Sequence, residues 1–394
     1  MTIKLYDEDA YNTKFSAKVL SCEEDSRGFS LVLDRTLFFP EEGGQTPDRG
    51  TINGLDVSYV SIKDGIITHY VSQRIEPGCE VIGEILFSHR FSNMQMHSAE
   101  HIFSGLVHSK FGYDNVGFHL SDNDATMDYN GKLSDEDVYE LEREVNDVIY
   151  ASKAIKTWYP EDKELANLDF RSKAGIQGAV RMVEIEDIDL CACCAPHVKS
   201  TSEIGIFKIV RFESYKGGIR LHYLAGKRAY EYLSNICTDV NLLSKLLSVS
   251  TDKVLSGVEK MSEEIKSLKI SNGLLIKRKF STDIFEKALG DGYKDSPVDK
   301  NIYFIFDKEA VAYLRFITDE IHKYYKGFSL AIAGDDETGY RFILESGFDN
   351  YSKFFDDFKN SFKVKCGGRN NSFQGSLEGN GEEIEEFLTE HINL

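Results

Sequence analysis

The sequence contains no apolar run that approaches the ~20 residues of a membrane-spanning helix. Its first residues, MTIKLYDE, carry acids and lack the apolar segment of a signal peptide. The seven cysteines are an odd number, which fits a reducing compartment better than a disulfide framework. We therefore expect a cytoplasmic protein, and 394 residues are enough for two or three domains that each bury a core.

Positive charge is also scarce, because 46 Lys and Arg stand against 65 Asp and Glu, a formal net charge of −19. Non-specific nucleic-acid binding recruits Lys and Arg to phosphates, so this balance argues against it. Two stretches depart from the acidic average: residues 198–228 and residues 241–280 both hold more basic than acidic side chains. They are either ordinary solvated faces or parts of one basic track for a nucleic-acid partner.

Two pairs of metal-ligand residue types share one spacing. The first pair is His97 and His101 in the segment HSAEH, and the second is Cys193 and His197 in CCAPH. Residues four apart on a helix share one face, so the two histidines can aim at one point. Pro196 keeps the second pair out of a helix interior and favours a turn folded over the helix. The set suits zinc, which prefers nitrogen and thiolate ligands.

The periodicity predicts an α+β fold. Residues 1–88 alternate apolar and polar between glycines, which predicts short strands and a small antiparallel β-barrel. Residues 89–230 form the predicted zinc-binding core. It contains a metal-bearing helix at 89–112, strands near 117–120, 125–129, 180–188 and 204–224, and a helix capped by Ser134.

The pattern changes after residue 230. Residues 231–285 predict a helical linker, in which Val254, Val258, Met261, Ile265 and Leu268 follow a heptad spacing. This seam indicates either a helix packed on its own domain or a linker helix that contacts a second copy. Residues 286–394 predict an α/β domain with strands at 302–306 and 329–334, a helix near 308–325 and a glycine-rich loop at 366–376.

Three segments together resemble a known family. They are LDRTLFFPEEGGQ (residues 33–45), HSAEH (residues 97–101) and CCAPHV (residues 193–198). They are similar to the motifs of the alanyl-tRNA synthetase editing domain and of its free-standing AlaX-type relatives. Residues 286–394 resemble more weakly the DHHA1 domain that follows this core in longer members. The resemblance implies a zinc-dependent hydrolase that deacylates mischarged tRNA(Ala), chiefly Ser-tRNA(Ala) and also Gly-tRNA(Ala).

The same resemblance implies roles for individual residues. Thr36 would read the serine hydroxyl, and Gln45 would bind the substrate carbonyl or ribose. The remaining candidates are Asp128 and His119 for positioning water, and Gly43, Gly44, Arg220, Gly367, Gly368 and Arg369 for binding the substrate. The partner would be tRNA, with a homodimer contact through the helix at 250–280 or through the C-terminal domain. The sequence departs from the family pattern at Glu42, which replaces a glycine, and at Cys194 to Pro196.

Two other functions remain open from the residues. Cys193 or Cys194 could act as the nucleophile of a cysteine hydrolase, with a histidine as its base. Alternatively, four protein ligands could close a structural zinc site in a non-catalytic RNA-binding module.

Overall fold

The computed structural model describes residues 1–122, 124–171, 180–346, 352–369 and 371–392. The chain forms two compact units, Met1–Leu242 and Leu243–Leu394. Both mix helices with sheets, which confirms the predicted α+β class, while the division into four domains stays a prediction. None of the helices in the described ranges combines the length and apolarity that a membrane crossing requires.

The N-terminal part of the first unit is an open sheet. Its strands are β1 (Ile3–Lys4), β2 (Lys14–Asp25), β3 (Gly28–Leu33), β4 (Arg35–Thr36), β5 (Gly50–Ile52), β6 (Leu55–Asp56), β7 (Tyr59–Lys63), β8 (Ile66–Val71) and β9 (Glu80–Ile85). Strands β1 and β4 form a parallel pair, and the other seven follow the order β6-β5-β9-β2-β3-β8-β7. One face covers a hydrophobic cluster that includes Leu31, Phe38 and Phe39.

The predicted barrel is therefore wrong. The two edge strands, β6 and β7, do not pair, and β6 is a two-residue strand hydrogen-bonded only to β5. Strand β2 pairs with β9 through its first half and with β3 through its second half, with a register shift between Val19 and Ser21. The shift bends the sheet without closing it. Apolar and polar residues alternate in the same way in an open sheet and in a closed barrel. The sequence pattern therefore could not distinguish an open sheet from a barrel.

The rest of the first unit is built around one long helix, α1 (Phe87–Phe111), which ends at Gly112 in the left-handed region. The further elements are β10 (Asn115–Leu120), β11 (Ala125–Tyr129), α2 (Asp135–Tyr150), β12 (Ile155–Trp158), α3 (Asp162–Leu165), β13 (Met182–Ile185), β14 (Asp189–Ala192), β15 (Phe207–Tyr215), β16 (Gly218–Ala225) and α4 (Gly226–Leu247). Their sheets have the orders β10-β11-β16-β15 and β12-β13-β14. The predicted cap of α2 is confirmed, because the Asp137 N–H donates to Ser134 Oγ at 3.2 Å.

The second unit is a mixed five-stranded sheet with helices. Its elements are α5 (Val254–Gly290), β17 (Ile302–Phe306), α6 (Leu314–Ile321), β18 (Ser329–Asp335), β19 (Gly339–Glu345), α7 (Ser352–Ser361), β20 (Lys363–Arg369), β21 (Ser372–Glu378) and α8 (Gly381–Ile392). The strand order is β17-β18-β19-β21-β20, and only the β17–β18 pair is parallel.

Two predictions for this unit need correction. The helix near 308–325 is shorter, since a 3₁₀ segment at Lys308–Tyr313 precedes α6. The glycine-rich loop at 366–376 is instead the β20–β21 hairpin. Its glycines serve close strand packing, because a Cβ on Gly368 would lie 2.1 Å from Ser372 O and one on Gly375 would lie 2.2 Å from Lys365 O.

Helix α5 is buried at its C-terminal end and not along the predicted heptad seam. Phe280, Ile284 and Ala288 pack in the core of the second unit. In contrast, Met261 is 47% exposed and Leu268 is 61% exposed. Packing of the helix on its own domain therefore accounts for its last turns and not for the predicted seam.

A buried ion pair joins α1 to the segment between β4 and β5. Arg90 and Asp48 are fully buried, and the Arg90 guanidinium contacts both carboxylate oxygens, with Nε 2.9 Å from Oδ1. Arg90 also donates to Leu37 O at 2.6 Å, while Asp48 Oδ2 accepts the Phe39 N–H at 2.6 Å. The two charges thus hold both ends of residues 37–48 on the helix that carries His97. We call residues 37–48, which include Gly43 and Gly44, the glycine-rich segment.

We expect Arg90→Met to lower the free energy of unfolding of the first unit by about 3–5 kcal/mol, because it leaves Asp48 buried without its cation. The chain has a single tryptophan, Trp158, which lies in this unit, so its fluorescence during denaturant unfolding reports on this unit. The control is Arg49→Met, which breaks a solvent-exposed pair with Asp122 and should cost under about 1 kcal/mol. Equal losses in the two variants would contradict the role assigned to the buried pair.

Candidate metal centre

Four predicted ligands converge in the first unit. His97 and His101 lie one turn apart on α1, and Cys193 and His197 lie on the segment after β14. Their ligand atoms lie within 4.8 Å of one another. Cys193 Sγ is 3.6 Å from His97 Nε2 and 3.5 Å from His197 Nε2. Ordinary zinc bond lengths place tetrahedral nitrogen and sulfur ligands about 3.5 Å apart, so this group could hold a metal ion.

Each of the three imidazoles is oriented through its other nitrogen. The contacts of Nδ1 are Gln45 Oε1 for His97 at 2.9 Å, Asp189 Oδ2 for His101 at 2.9 Å and Ser98 Oγ for His197 at 3.0 Å. A carboxylate and an amide carbonyl can only accept, so Nδ1 of His97 and of His101 donates, and Nε2 is the nitrogen left to bind a metal ion. This arrangement is typical of metal-binding histidines.

The thiol of Cys193 is electrostatically suited to be a ligand. Burial alone would raise the pKa of Cys193, but the neighbouring His97, His101 and His197 lower that pKa well below its ordinary value. The thiolate is the form that binds metal. The neighbouring Cys194 differs, because burial, Cys193 and Glu42 raise the pKa of its thiol well above the ordinary value.

A second group of possible ligands overlaps the first. It consists of His101, Asp189 and Cys191. The Asp189 carboxylate already pairs with Arg171, whose Nε and Nη2 lie 2.7 and 2.8 Å from its oxygens. Burial also raises the pKa of Cys191 to about 11, which keeps its thiol protonated near neutral pH. These contacts favour the group around Cys193 as the metal centre and give Asp189 the role of orienting His101.

The candidate centre borders a cavity of about 960 Å³. Its described wall includes three of the ligands together with Gly43, Glu100, Asn115, Phe118, Arg171, Asp189, Leu190 and Cys194. Residues 172–179, which follow Arg171, lie outside the described residues. The cavity is large enough for the aminoacyl end of a bulky substrate.

Two predicted residues of the glycine-rich segment reach this site. Gly43 lines the cavity, and Gln45 is the partner of His97. Gly44 makes a close contact within the fold, because a Cβ there would lie 2.3 Å from Phe118 O, and its predicted role in substrate binding stays a prediction. The absent side chain lets the segment bond to β10, where the Leu120 N–H donates to Gly44 O at 2.7 Å.

The other predicted residues are not among the described residues that line the cavity. Asp128 and Arg220 pair with each other across β11 and β16 through two contacts of 2.6 Å. His119 is exposed on β10. Gly367 and Gly368 belong to β20 in the second unit, and the side chain of Arg369 lies outside the described part of the chain. Their predicted roles in catalysis or substrate binding stay predictions.

Thr36 is fully buried and does not line the cavity. Its Oγ1 lies 2.8 Å from His69 Nε2 and accepts the Phe38 N–H at 3.0 Å. Burial lowers the pKa of His69 to about 4, so the ring is neutral near pH 7. His69 Nδ1 lies 3.2 Å from Leu31 O and donates to it, which leaves Nε2 to accept the Thr36 hydroxyl.

The sequence reasoning missed Ser98, Glu100 and Asp189. Ser98 and Asp189 orient His197 and His101, and Glu100 lines the cavity beside the ligands. Glu100 carried a sequence signal, since a residue three positions after His97 faces the same side of a helix. Asp189 carried none, because only the fold brings it to His101.

Comparisons with known proteins show what this chain is similar to. Residues 180–222 match the model of the threonyl and alanyl tRNA synthetase second additional domain. The alanyl-tRNA editing protein AlaX-L of Pyrococcus horikoshii is 32% identical over 61% of this chain and 62% of its own length. Aarsd1 of Danio rerio is 26% identical over 87% of this chain and 85% of its own length, and Aarsd1-B of Xenopus laevis is 25% identical over 98% and 97%.

The matched segment contains Cys193 and His197. It assigns this part of the chain to the second additional domain of threonyl and alanyl tRNA synthetases. Two relatives named alanyl-tRNA editing proteins match nearly the whole length of the chain, and a third matches 61% of it. The match spans less than two thirds of the archaeal relative's own length. The DHHA1-like assignment of residues 286–394 stays a prediction.

We expect the purified protein to contain one zinc ion per chain and Cys193→Ser to lose most of it, because the thiolate is one of four ligands. Elemental analysis after dialysis measures this. Cys191→Ser is the matched control and should keep the metal. The opposite result, metal lost in Cys191→Ser and kept in Cys193→Ser, would assign the ion to the group of His101, Asp189 and Cys191.

Proposed function

We propose that this protein is a trans-editing hydrolase that removes wrongly attached amino acids from tRNA(Ala). Its main substrate is Ser-tRNA(Ala), with Gly-tRNA(Ala) as a second one. The printed names of its relatives, alanyl-tRNA editing proteins, support the reaction class. The single observation that carries the proposal is the convergence of three oriented imidazoles and one thiolate at the edge of a cavity.

The four ligands fit zinc through their donor types and spacing. A bound zinc ion supplies Lewis-acid polarisation and lowers the pKa of water. The chain's own residues do the remaining work. Gln45, Asp189 and Ser98 hold the imidazoles in one orientation, and the cavity wall with Gly43 receives the aminoacyl end.

A separate editing site has a physical reason to exist. A pocket for alanine cannot strongly reject serine, which only adds a hydroxyl, or glycine, which lacks one methyl group. A site that requires the hydroxyl discriminates better, since a buried polar partner is left unsatisfied when alanine enters. We retain Thr36 as the proposed partner; its Oγ1 donates to His69 and accepts from the Phe38 N–H, which leaves one acceptor lone pair.

The part of the chain after residue 242 is proposed to bind tRNA. Residues 241–280 carry more basic than acidic side chains, against the acidic balance of the whole chain. Phosphate contacts from such a region add affinity that weakens with salt. The exposed seam of α5, which includes Met261 and Leu268, is the proposed contact between two copies.

A cysteine nucleophile needs only one imidazole as its base and leaves the other converging ligands unexplained. Cys193 is enclosed by three imidazoles, and the raised pKa of Cys194 disfavours its thiolate. An activity measurement distinguishes the proposed hydrolase from the other alternative, a structural zinc in a non-catalytic module.

We expect the purified protein to deacylate Ser-tRNA(Ala) faster than Ala-tRNA(Ala), with Gly-tRNA(Ala) also hydrolysed. The release of labelled amino acid under single-turnover conditions gives the rates. The zinc-depleted Cys193→Ser variant is the control and should be inactive on all three. If the wild-type protein binds zinc but hydrolyses none of them, the metal is structural and the proposed reaction is wrong.

We expect Thr36→Val to narrow the preference for serine over alanine by roughly tenfold, since one neutral hydrogen bond contributes about 1–1.5 kcal/mol. The same change leaves Nε2 of the buried His69 without its donor, so the variant should also unfold at lower denaturant. Thr36→Ser retains the hydroxyl and is the control for both effects. A less stable Thr36→Val protein with an unchanged preference would show that Thr36 is purely structural.

A further inference from the structure

Glu100 is a buried carboxylate on the wall of the proposed catalytic cavity. It is 6% exposed, and no Lys, Arg or His in the described residues forms an ion pair with it. A buried charge is costly unless it is paired or well hydrogen-bonded. The groups around Glu100 therefore indicate what kind of ligand binds beside it.

One oxygen of Glu100 is satisfied by neutral donors. Asn115 Nδ2 donates to Oε1 at 2.6 Å, and the Ser104 hydroxyl donates to the same oxygen. Tyr129 OH, 2.7 Å from Ser104 Oγ, completes the chain of donors. These donors hold the carboxylate in a fixed orientation without neutralising its charge.

The other oxygen, Oε2, faces the cavity. It has no hydrogen-bond partner among the described residues, and it is not one of the buried polar atoms sealed from solvent. The other described carboxylates of the wall differ in this respect. Asp189 pairs with Arg171 and His101, Asp114 is exposed beside His108, and Asp169 is exposed.

The metal centre does not account for Glu100 either. Glu100 belongs to neither group of clustered ligands, although it precedes His101 in the sequence. Arg171, which also lines the cavity, directs its Nε and Nη2 at Asp189. Among the described residues no side-chain cation pairs with Oε2, so this oxygen is free to accept a hydrogen bond from a cationic ligand.

We propose that Glu100 binds the α-ammonium group of the aminoacyl ester. The inference rests on the proposed function, because an amino acid esterified to tRNA carries this ammonium next to the bond to be hydrolysed. Oε2 accepts a hydrogen bond from the ammonium and fixes the ester carbonyl relative to the metal centre. Glu100 thus makes the site selective for a free α-amine, whatever the side chain of the amino acid.

The test compares Ser-tRNA(Ala) with N-acetyl-Ser-tRNA(Ala), which lacks the positive charge. A hydrogen bond between charged groups predicts that acetylation lowers kcat/KM of the wild type about 10- to 100-fold. Glu100→Gln should lower kcat/KM for the free amine by a similar factor and leave the acetylated substrate within about threefold. Glu100→Asp keeps the charge and should retain part of the preference.

Asp162→Asn is the matched control, since it removes an exposed carboxylate of α3 that does not line the cavity and should change the kcat/KM of neither substrate by more than about twofold. Zinc content must be equal in all variants, because Glu100 neighbours His101. Equal slowing of both substrates by Glu100→Gln would overturn the proposal and assign Glu100 to the attacking water. Equal hydrolysis of both substrates by the wild type would also overturn it.

A binding measurement keeps this inference separate from the proposed reaction. The probe is 3′-deoxy-3′-(serylamino)adenosine, an amide that resists hydrolysis, compared with its N-acetyl derivative by calorimetry on the wild-type zinc protein. Tighter binding of the free amine, lost in Glu100→Gln, supports the proposal even if no charged tRNA is deacylated. Equal affinities for the two probes would overturn it while leaving deacylation intact.

Discussion

The arrangement of the site depends on the buried contact between Arg90 and Asp48. The pair fixes a segment with little regular structure against a rigid helix. The guanidinium also donates hydrogen bonds to the carbonyl oxygens of Leu37 and Ala10. Five donors in a planar fork make arginine suited to collect several acceptors at one point. Because Arg90 lies two turns before His97 on α1, the segment it holds passes the metal-binding face of the same helix.

A consequence is that the open sheet of the N-terminal part supplies one wall and one partner of the metal centre. Gln45 reaches His97 only because the segment is fixed at Asp48 on one side and bonded to β10 through Gly44 on the other. Both attachments are specific: one requires a buried charge pair, and the other requires a residue without a side chain. The orientation of a metal ligand is thereby coupled to the packing of two separate hydrophobic clusters.

Local spacing allowed the four possible ligands to be predicted from the sequence. The long-range contacts around them could not be predicted in this way. The positions of His97 and His101 follow from helix geometry, and Pro196 limits the conformations of the second pair. The partners Ser98 and Asp189 depend on how the segment after β14 crosses α1, which no local pattern encodes. The same limit explains the barrel error, since closure depends on whether two edge strands meet and not on their alternation.

Two buried carboxylates near the metal centre show how environment assigns function to identical chemistry. Asp189 faces Arg171 and His101, so its charge is matched inside the protein and its role is to orient a ligand. Glu100 faces Asn115 and Ser104, so its charge is oriented and left without a cation among the described residues. A matched carboxylate gains little from a cationic ligand, whereas an unmatched one gains a charge-assisted hydrogen bond in a site of low dielectric. We therefore expect a cationic group of the ligand to bind at Glu100 and not at Asp189.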